Sequence, residues 1–156
     1  MCKLISSRYI YLSVVLLCGL CVANIGCAPK PDITATATAP GLIDYGQVFD
    51  IIITVSNNGN SPAKNLYLYC RANPSGYFAT LNADRPKVCM LTGGFFLDMG
   101  DLYPGEKGDA TVIFQAPRKS QIDNLRSKDF EVNFTSTYDN SRIEKHIGST
   151  ILTVGQ

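Results

Sequence analysis

Hydrophobic and polar positions alternate with a period of two over most of the chain beyond residue 31. In the segment QVFDIIITVSN, Phe49, Ile51, Ile53 and Val55 fall on one face while Asp50, Thr54 and Ser56 fall on the other, with Val48 and Ile52 departing from strict alternation. The same pattern recurs in DATVIFQAP, where Ala110, Val112 and Phe114 face inward, and in DFEVNFTSTY, where Phe130, Val132 and Phe134 do so. Turn-forming clusters separate these runs: Asn57-Asn58-Gly59-Asn60, Pro74-Ser75-Gly76, Pro104-Gly105 and Asp139-Asn140-Ser141. The spacing predicts strands over 33–38, 48–57, 65–72, 78–81, 87–91, 95–99, 110–115, 130–138 and 143–154. Gly148 inside the last of them marks a bulge or bend. Short alternating strands with no amphipathic helix among them define an all-β class, an antiparallel Ig-like β-sandwich of about seven to nine strands.

The first 31 residues follow a different pattern. Lys3 and Arg8 are followed by an uncharged, largely apolar run from Tyr9 to Gly26, then by Cys27 and the break Ala28-Pro29-Lys30-Pro31. A positive start, an apolar stretch and small residues at its end are the shape of a secretory signal. The segment Ala23-Asn24-Ile25-Gly26-Cys27 resembles a bacterial lipoprotein signal, in which the cysteine becomes the first mature residue and carries lipid; Asn24 and Ile25 depart from its usual form. That reading makes residues 1–26 a signal peptide, 27–31 a tether and 32–156 the sandwich domain. The alternative is an uncleaved anchor helix, since the uncharged run to Pro29 is about long enough to span a bilayer. Positive charge on the short side would then hold the N-terminus in the cytoplasm. Both readings place the domain outside the cytoplasm, held at a membrane of the cell envelope.

Charge and composition narrow the partners. Lys3 and Arg8 belong to the leader, so the remainder sets 12 of the 14 basic residues against all 13 acidic ones and is close to neutral. No basic stripe for nucleic acid is present. Beyond Cys27, Cys70 and Cys89 form an even pair in a compartment where disulfides persist, so a bond between them is expected; two buried free thiols are the other outcome. His146 is the sole histidine and has no ligand spacing to either cysteine, so no metal centre or cofactor is predicted. It also lacks a neighbouring serine or cysteine in a nucleophile turn, which speaks against an enzyme. Asp98 and Asp101 flank Gly100 with too few oxygen ligands for calcium and are read as local hydrogen-bonding residues.

Two stretches carry a family resemblance. ITVSNNGNSPAKNLYL is similar to the second and third strands of bacterial and archaeal Ig-like surface modules. LDMGDLYPGEKGDATVIFQAP is similar to their later segment, with its Pro-Gly-Glu turn feeding a strand that ends in Ala-Pro. The nearest family in these features is CARDB, the cell-adhesion-related domain of bacteria. The resemblance spans about 32–156 and implies a sandwich fold and an adhesion or spacer role, with an envelope or surface protein as partner. The residues themselves have local readings: Asn57 and Gly59 permit a tight turn through positive φ, and Pro104 with Gly105 builds another.

The stretch from Ala72 to Gly100 is longer than in such modules and is rich in aromatic residues. Tyr77, Phe78, Phe95 and Phe96, with Tyr67 and Tyr69 projecting from the third strand opposite Leu66, Leu68 and Cys70, are candidate ligand-binding aromatics. They suit a partner's apolar side chains or, alternatively, the sugar rings of an envelope glycan. Covering the sheet edge or plugging the core would use the same residues.

Overall fold

A computed structural model describes residues 28–84, 87–91, 94–139 and 141–155, with the side chains of 87–91 and 142 excluded. The leader, its expected helix and Cys27 lie outside these residues. Nine strands form: β1 (Ile33–Thr38), β2 (Val48–Asn57), β3 (Ala63–Asn73), β4 (Ala79–Ala83), β5 (Lys87–Leu91), β6 (Gly94–Leu102), β7 (Lys107–Gln115), β8 (Asp129–Tyr138) and β9 (Ser141–Thr153). One helical turn, α1 (Lys119–Ile122), lies between β7 and β8 and was not expected from the sequence. Among the described residues no helix is long and apolar enough to cross a membrane.

The strands pair antiparallel into a four-stranded sheet, β1-β2-β7-β4, and a five-stranded sheet, β5-β6-β3-β8-β9. Their inner faces make one core. Phe49, Ile51, Ile53 and Val55 from β2 meet Ala110, Val112 and Phe114 from β7, while β3 and β8 contribute Leu66, Leu68, Phe130 and Phe134, all buried. The period-two reading of β2, β7 and β8 therefore holds at every residue named for it. Strands β1, β2 and β5 have the boundaries read from the sequence. Strands β3, β6 and β7 run further, because Ala63 pairs with Leu102 beyond an irregularity, and Asp109 and Lys107 continue the pairing with Thr54 and Ser56.

The two sheets are joined along one side. The chain after β1 crosses over, and Ile43 pairs in parallel with Val154; Ile43 N donates to Thr153 O at 2.9 Å, and Gly155 N donates to Ile43 O at 3.0 Å. Further along, β1 approaches β9 so closely that a Cβ on Gly148 would lie 2.2 Å from Ala35 O. The ladder steps from the pair Phe134/Gly148 to the pair Thr135/His146, leaving Ile147 as the extra residue of a bulge. Gly148 thus marks a bulge, as its sequence position predicted, and it also admits the backbone of the facing sheet.

Both turns singled out in the sequence meet at the end of the sandwich from which the chain enters β1. Asn57 is fully buried. Its Oδ1 accepts from Asp32 N at 3.2 Å and Gly59 N at 3.0 Å, and its Nδ2 donates to Ser61 O and Leu102 O, both at 2.9 Å. This fills the side chain's hydrogen-bonding capacity. Neither Asn57 nor Gly59 takes positive φ, contrary to the reading from sequence. Gly59 is required because a Cβ there would lie 2.3 Å from Lys30 O and 2.4 Å from Asp32 N. The Tyr103-Pro104-Gly105-Glu106 turn agrees with its sequence reading: Gly105 has φ +80° and Glu106 N donates to Tyr103 O at 3.0 Å.

Candidate functional site

The six candidate aromatics divide between the core and one outer face. Phe95 is buried opposite Cys70, and its ring centroid lies 5.5 Å from that of Phe114. Phe78 sits edge-on to Phe130 at 4.9 Å, Phe49 at 6.1 Å and Phe114 at 6.3 Å. Tyr77 rests on Phe130 at 5.6 Å. These three close the end of the sandwich between β3 and β4, so they act as core cover and leave the set of candidate contact residues.

Tyr67, Tyr69 and Phe96 lie together on the outer face of the five-stranded sheet. Inward Leu66, Leu68 and Cys70 leave Tyr67, Tyr69 and Arg71 facing out along β3, while inward Phe95, Leu97 and Met99 leave Phe96 and Asp98 facing out along β6. Register then sets Tyr69 directly opposite Phe96 and Tyr67 opposite Asp98. The Tyr69 and Phe96 rings stack at 5.1 Å and 24°, and Tyr67 meets Phe96 edge-on at 6.1 Å and 78°. Each ring is partly exposed. Cross-strand aromatic pairs of this kind contribute roughly 0.2–1 kcal/mol each.

A polar border runs along β8 and β9. Thr137 and Thr135 stand opposite Tyr67 and Tyr69, and Asn133 opposite Arg71. Arg71 Nη2 lies 3.4 Å from Glu144 Oε2, and Glu144 also accepts from the Thr135 hydroxyl. His146 is exposed, paired across the ladder with Thr135. At the other border Asp98 accepts from Gly100 N at 2.9 Å, the local role read for it, whereas Asp101 accepts from Asn65 N at 3.0 Å across to β3 and is not local. Among the described residues no group of three His, Cys, Asp or Glu side chains is placed to hold a metal ion.

The cysteines are not a bonded pair in this structure. Cys70 is a free, buried thiol on β3, and burial pushes its pKa well above the ordinary value. Strand β6 lies between β3 and β5, the strand of Cys89. Two inter-strand spacings amount to about 10 Å, beyond the roughly 7 Å that a disulfide can bridge between Cα atoms. The expected bond is therefore replaced by its alternative at Cys70. That thiol borders an apolar space with Phe78, Phe95, Phe114 and Val132, and the space measures about 30 Å³, far below the several hundred Å³ of a ligand pocket.

Fold order defines the class before any comparison is made. The four-stranded sheet has the order of strands A-B-E-D of an Ig-like sandwich, and β5-β6-β3-β8-β9 has the order C″-C′-C-F-G. The chain departs from the variable type by filling the D place, with β4, before the C″ and C′ places. No family model matches the chain, and no curated protein does. Solved structures do. The CARDB domain of a Pyrococcus furiosus protein, crystallised in complex with di-metal ions, superposes with a TM-score of 0.52 at 15% identity, covering 80% of this chain and 89% of that one. The N-terminal domain of a Streptococcus gordonii adhesin gives 0.54 at 10% identity, over 81% of this chain and 33% of that one. The DNA-binding domain of the C. elegans ortholog of human p53 gives 0.53 at 10% identity, over 81% and 91%. Adhesion and DNA binding on one scaffold mean that the likeness establishes a CARDB-like, Ig-like fold and leaves function to the surface.

Proposed function

We propose that the chain is a non-catalytic interaction module of the cell exterior, anchored by its N-terminal leader, that grips a protein partner through the outer face of the five-stranded sheet. The Tyr67–Phe96–Tyr69 cluster carries this reading. Tyrosine, phenylalanine and arginine bordered by small polar residues is the composition of a protein-contact hot spot: rigid apolar area at low entropic cost, with hydroxyl tips to hydrogen-bond. The ring geometry favours protein over glycan. A sugar platform needs ring faces lying open and coplanar, and two rings whose centroids are 5.1 Å apart overlap face to face.

The leader supports the location. Cys27 as lipid attachment and the uncleaved helix both leave residues beyond 31 on the outer side of a membrane, and the CARDB-like fold and the adhesin neighbour suit an adhesion or spacer role there. In-cell crosslinking followed by mass spectrometry tests the whole reading. A protein adduct is expected on the intact chain, lost in Tyr69→Ala and Phe96→Ser and kept in Ile52→Ser on the outer face of the other sheet. Adducts indifferent to Tyr69 and Phe96 would sink the contact face. Intact mass decides the anchor, since acylation at a new N-terminal Cys27 and retention of residues 1–26 differ in mass.

A further inference from the structure

The stretch read as a tether is docked from Lys30 onward. Lys30 N donates to Asn60 Oδ1 at 2.9 Å, and Asn60 N donates back to Lys30 O at 3.3 Å. Asn58 N donates to Asp32 O at 2.8 Å and Asn58 Nδ2 to Thr34 Oγ1 at 2.9 Å. The missing side chain of Gly59 lets the backbone of residues 30–32 lie directly on this turn. Only Ala28 and Pro29 separate Lys30 from Cys27, so the two Cα atoms are at most about 11 Å apart at full extension. An anchored chain is thus moored to a fixed end of the sandwich by almost no slack.

Resting on the anchor reading above, we propose that this end, formed by the 58–61 and 103–106 turns, sits directly on the lipid surface, with Tyr103 at the headgroup level. The turns are locked together: Gly105 N donates to Asn57 O at 2.8 Å, and Asn57 N donates to Glu106 O at 3.0 Å. Tyr103 is 50% exposed at their tip, an amphipathic ring of the kind enriched at membrane interfaces. Charge at this end is mixed. Glu106 turns back to accept from Tyr103 N at 2.8 Å, Asp32 lies 3.6 Å from Lys145 Nζ, and Asp101 and Asp139 accept from Asn65. Lys30, Lys64 and Lys107 are exposed there beside these four carboxylates, so the end is close to neutral and its placement rests on the short tether and Tyr103.

The chain contains no tryptophan, so a single indole reports without background. The full-length chain carrying Tyr103→Trp, and separately Leu42→Trp at the opposite end, is reconstituted into phospholipid vesicles with and without brominated acyl chains. Both positions are about half exposed, at 50% and 47%, and neither contributes to the core. Emission from Tyr103→Trp is expected to shift to the blue and to be quenched severalfold more by bromine than emission from Leu42→Trp. A chain that floats with the vesicles while both indoles respond alike overturns the orientation and leaves the anchor standing. A chain that does not float removes the anchor and the proposal with it.

Discussion

Alanine at position 57 leaves the Asp32 and Gly59 amides and the Ser61 and Leu102 carbonyls to find other partners in a place closed to solvent. Each unmet buried group costs about 1–3 kcal/mol, so Asn57→Ala is expected to lose ~3 kcal/mol or more in urea unfolding, with little change in the slope. The sequence marked Asn57 and Gly59 as a turn and misjudged the cause. Residue type reveals what a backbone tolerates; the approach of residues 30–32 is made by chain far from the turn in sequence. Conversely Asn65, which does take positive φ at +48°, stood in a stretch read as the start of a strand. Cys70 gives a prediction with a sign. Burial raises its folded pKa above the ordinary thiol value of 9.0, so above that pH the unfolded chain releases a proton that the folded chain keeps. Stability is then present in full below about pH 9 and falls as pH rises, by up to roughly 1.4 kcal/mol per unit. In Cys70→Ala this alkaline slope should flatten in denaturation midpoints measured across pH 8 to 11, an interval of about three units.

Strands were legible because their inner faces repeat every second residue, and α1 was not, because four residues give a periodicity nothing to act on. The aromatics show the limit of that signal. Alternation told apart the faces of β3, and so Tyr67 and Tyr69 from Leu66, Leu68 and Cys70, yet Phe95 and Phe96 are neighbours of one residue type with opposite fates. Alternation with Leu97, Met99 and Asp98 sorts them to opposite faces, and the register of β6 against β3 then sets Tyr69 as the partner of Phe96. Their energetic roles should diverge accordingly. Phe78→Ala removes a ring wedged among Phe49, Phe114 and Phe130 and is expected to cost about 3–5 kcal/mol. Phe96→Ala should cost about 1 kcal/mol, the scale of an exposed cross-strand aromatic pair, while abolishing partner capture. Thermal or urea denaturation of the two variants side by side checks the division.

For the whole molecule, the two-sheet architecture followed from the count and spacing of strands, but the assignment of strands to sheets did not. β1, β2, β3, β6, β7, β8 and β9 all present an apolar face to the same core, so periodicity is identical on both sides of it. The expected Cys70–Cys89 bond gave way for this reason: the loop it would close was plausible in sequence, and the interposed β6 is visible only in the topology. If the chain is anchored and grips a partner as proposed, topology also sets the path that load would take. The tether enters through β1, which belongs to the four-stranded sheet, whereas the contact face belongs to the other sheet. Under that proposal, tension between membrane and partner would pass through the core and along the line where β1 and the Ile43 segment run beside β9. Gly148→Ala, whose Cβ would press on Ala35 O, is expected to lower the rupture force when the chain is pulled between its tether and β9 in a force spectrometer, and unchanged force would assign the load to the core alone. On that expectation a single glycine would set how hard the domain can be pulled before its sheets part.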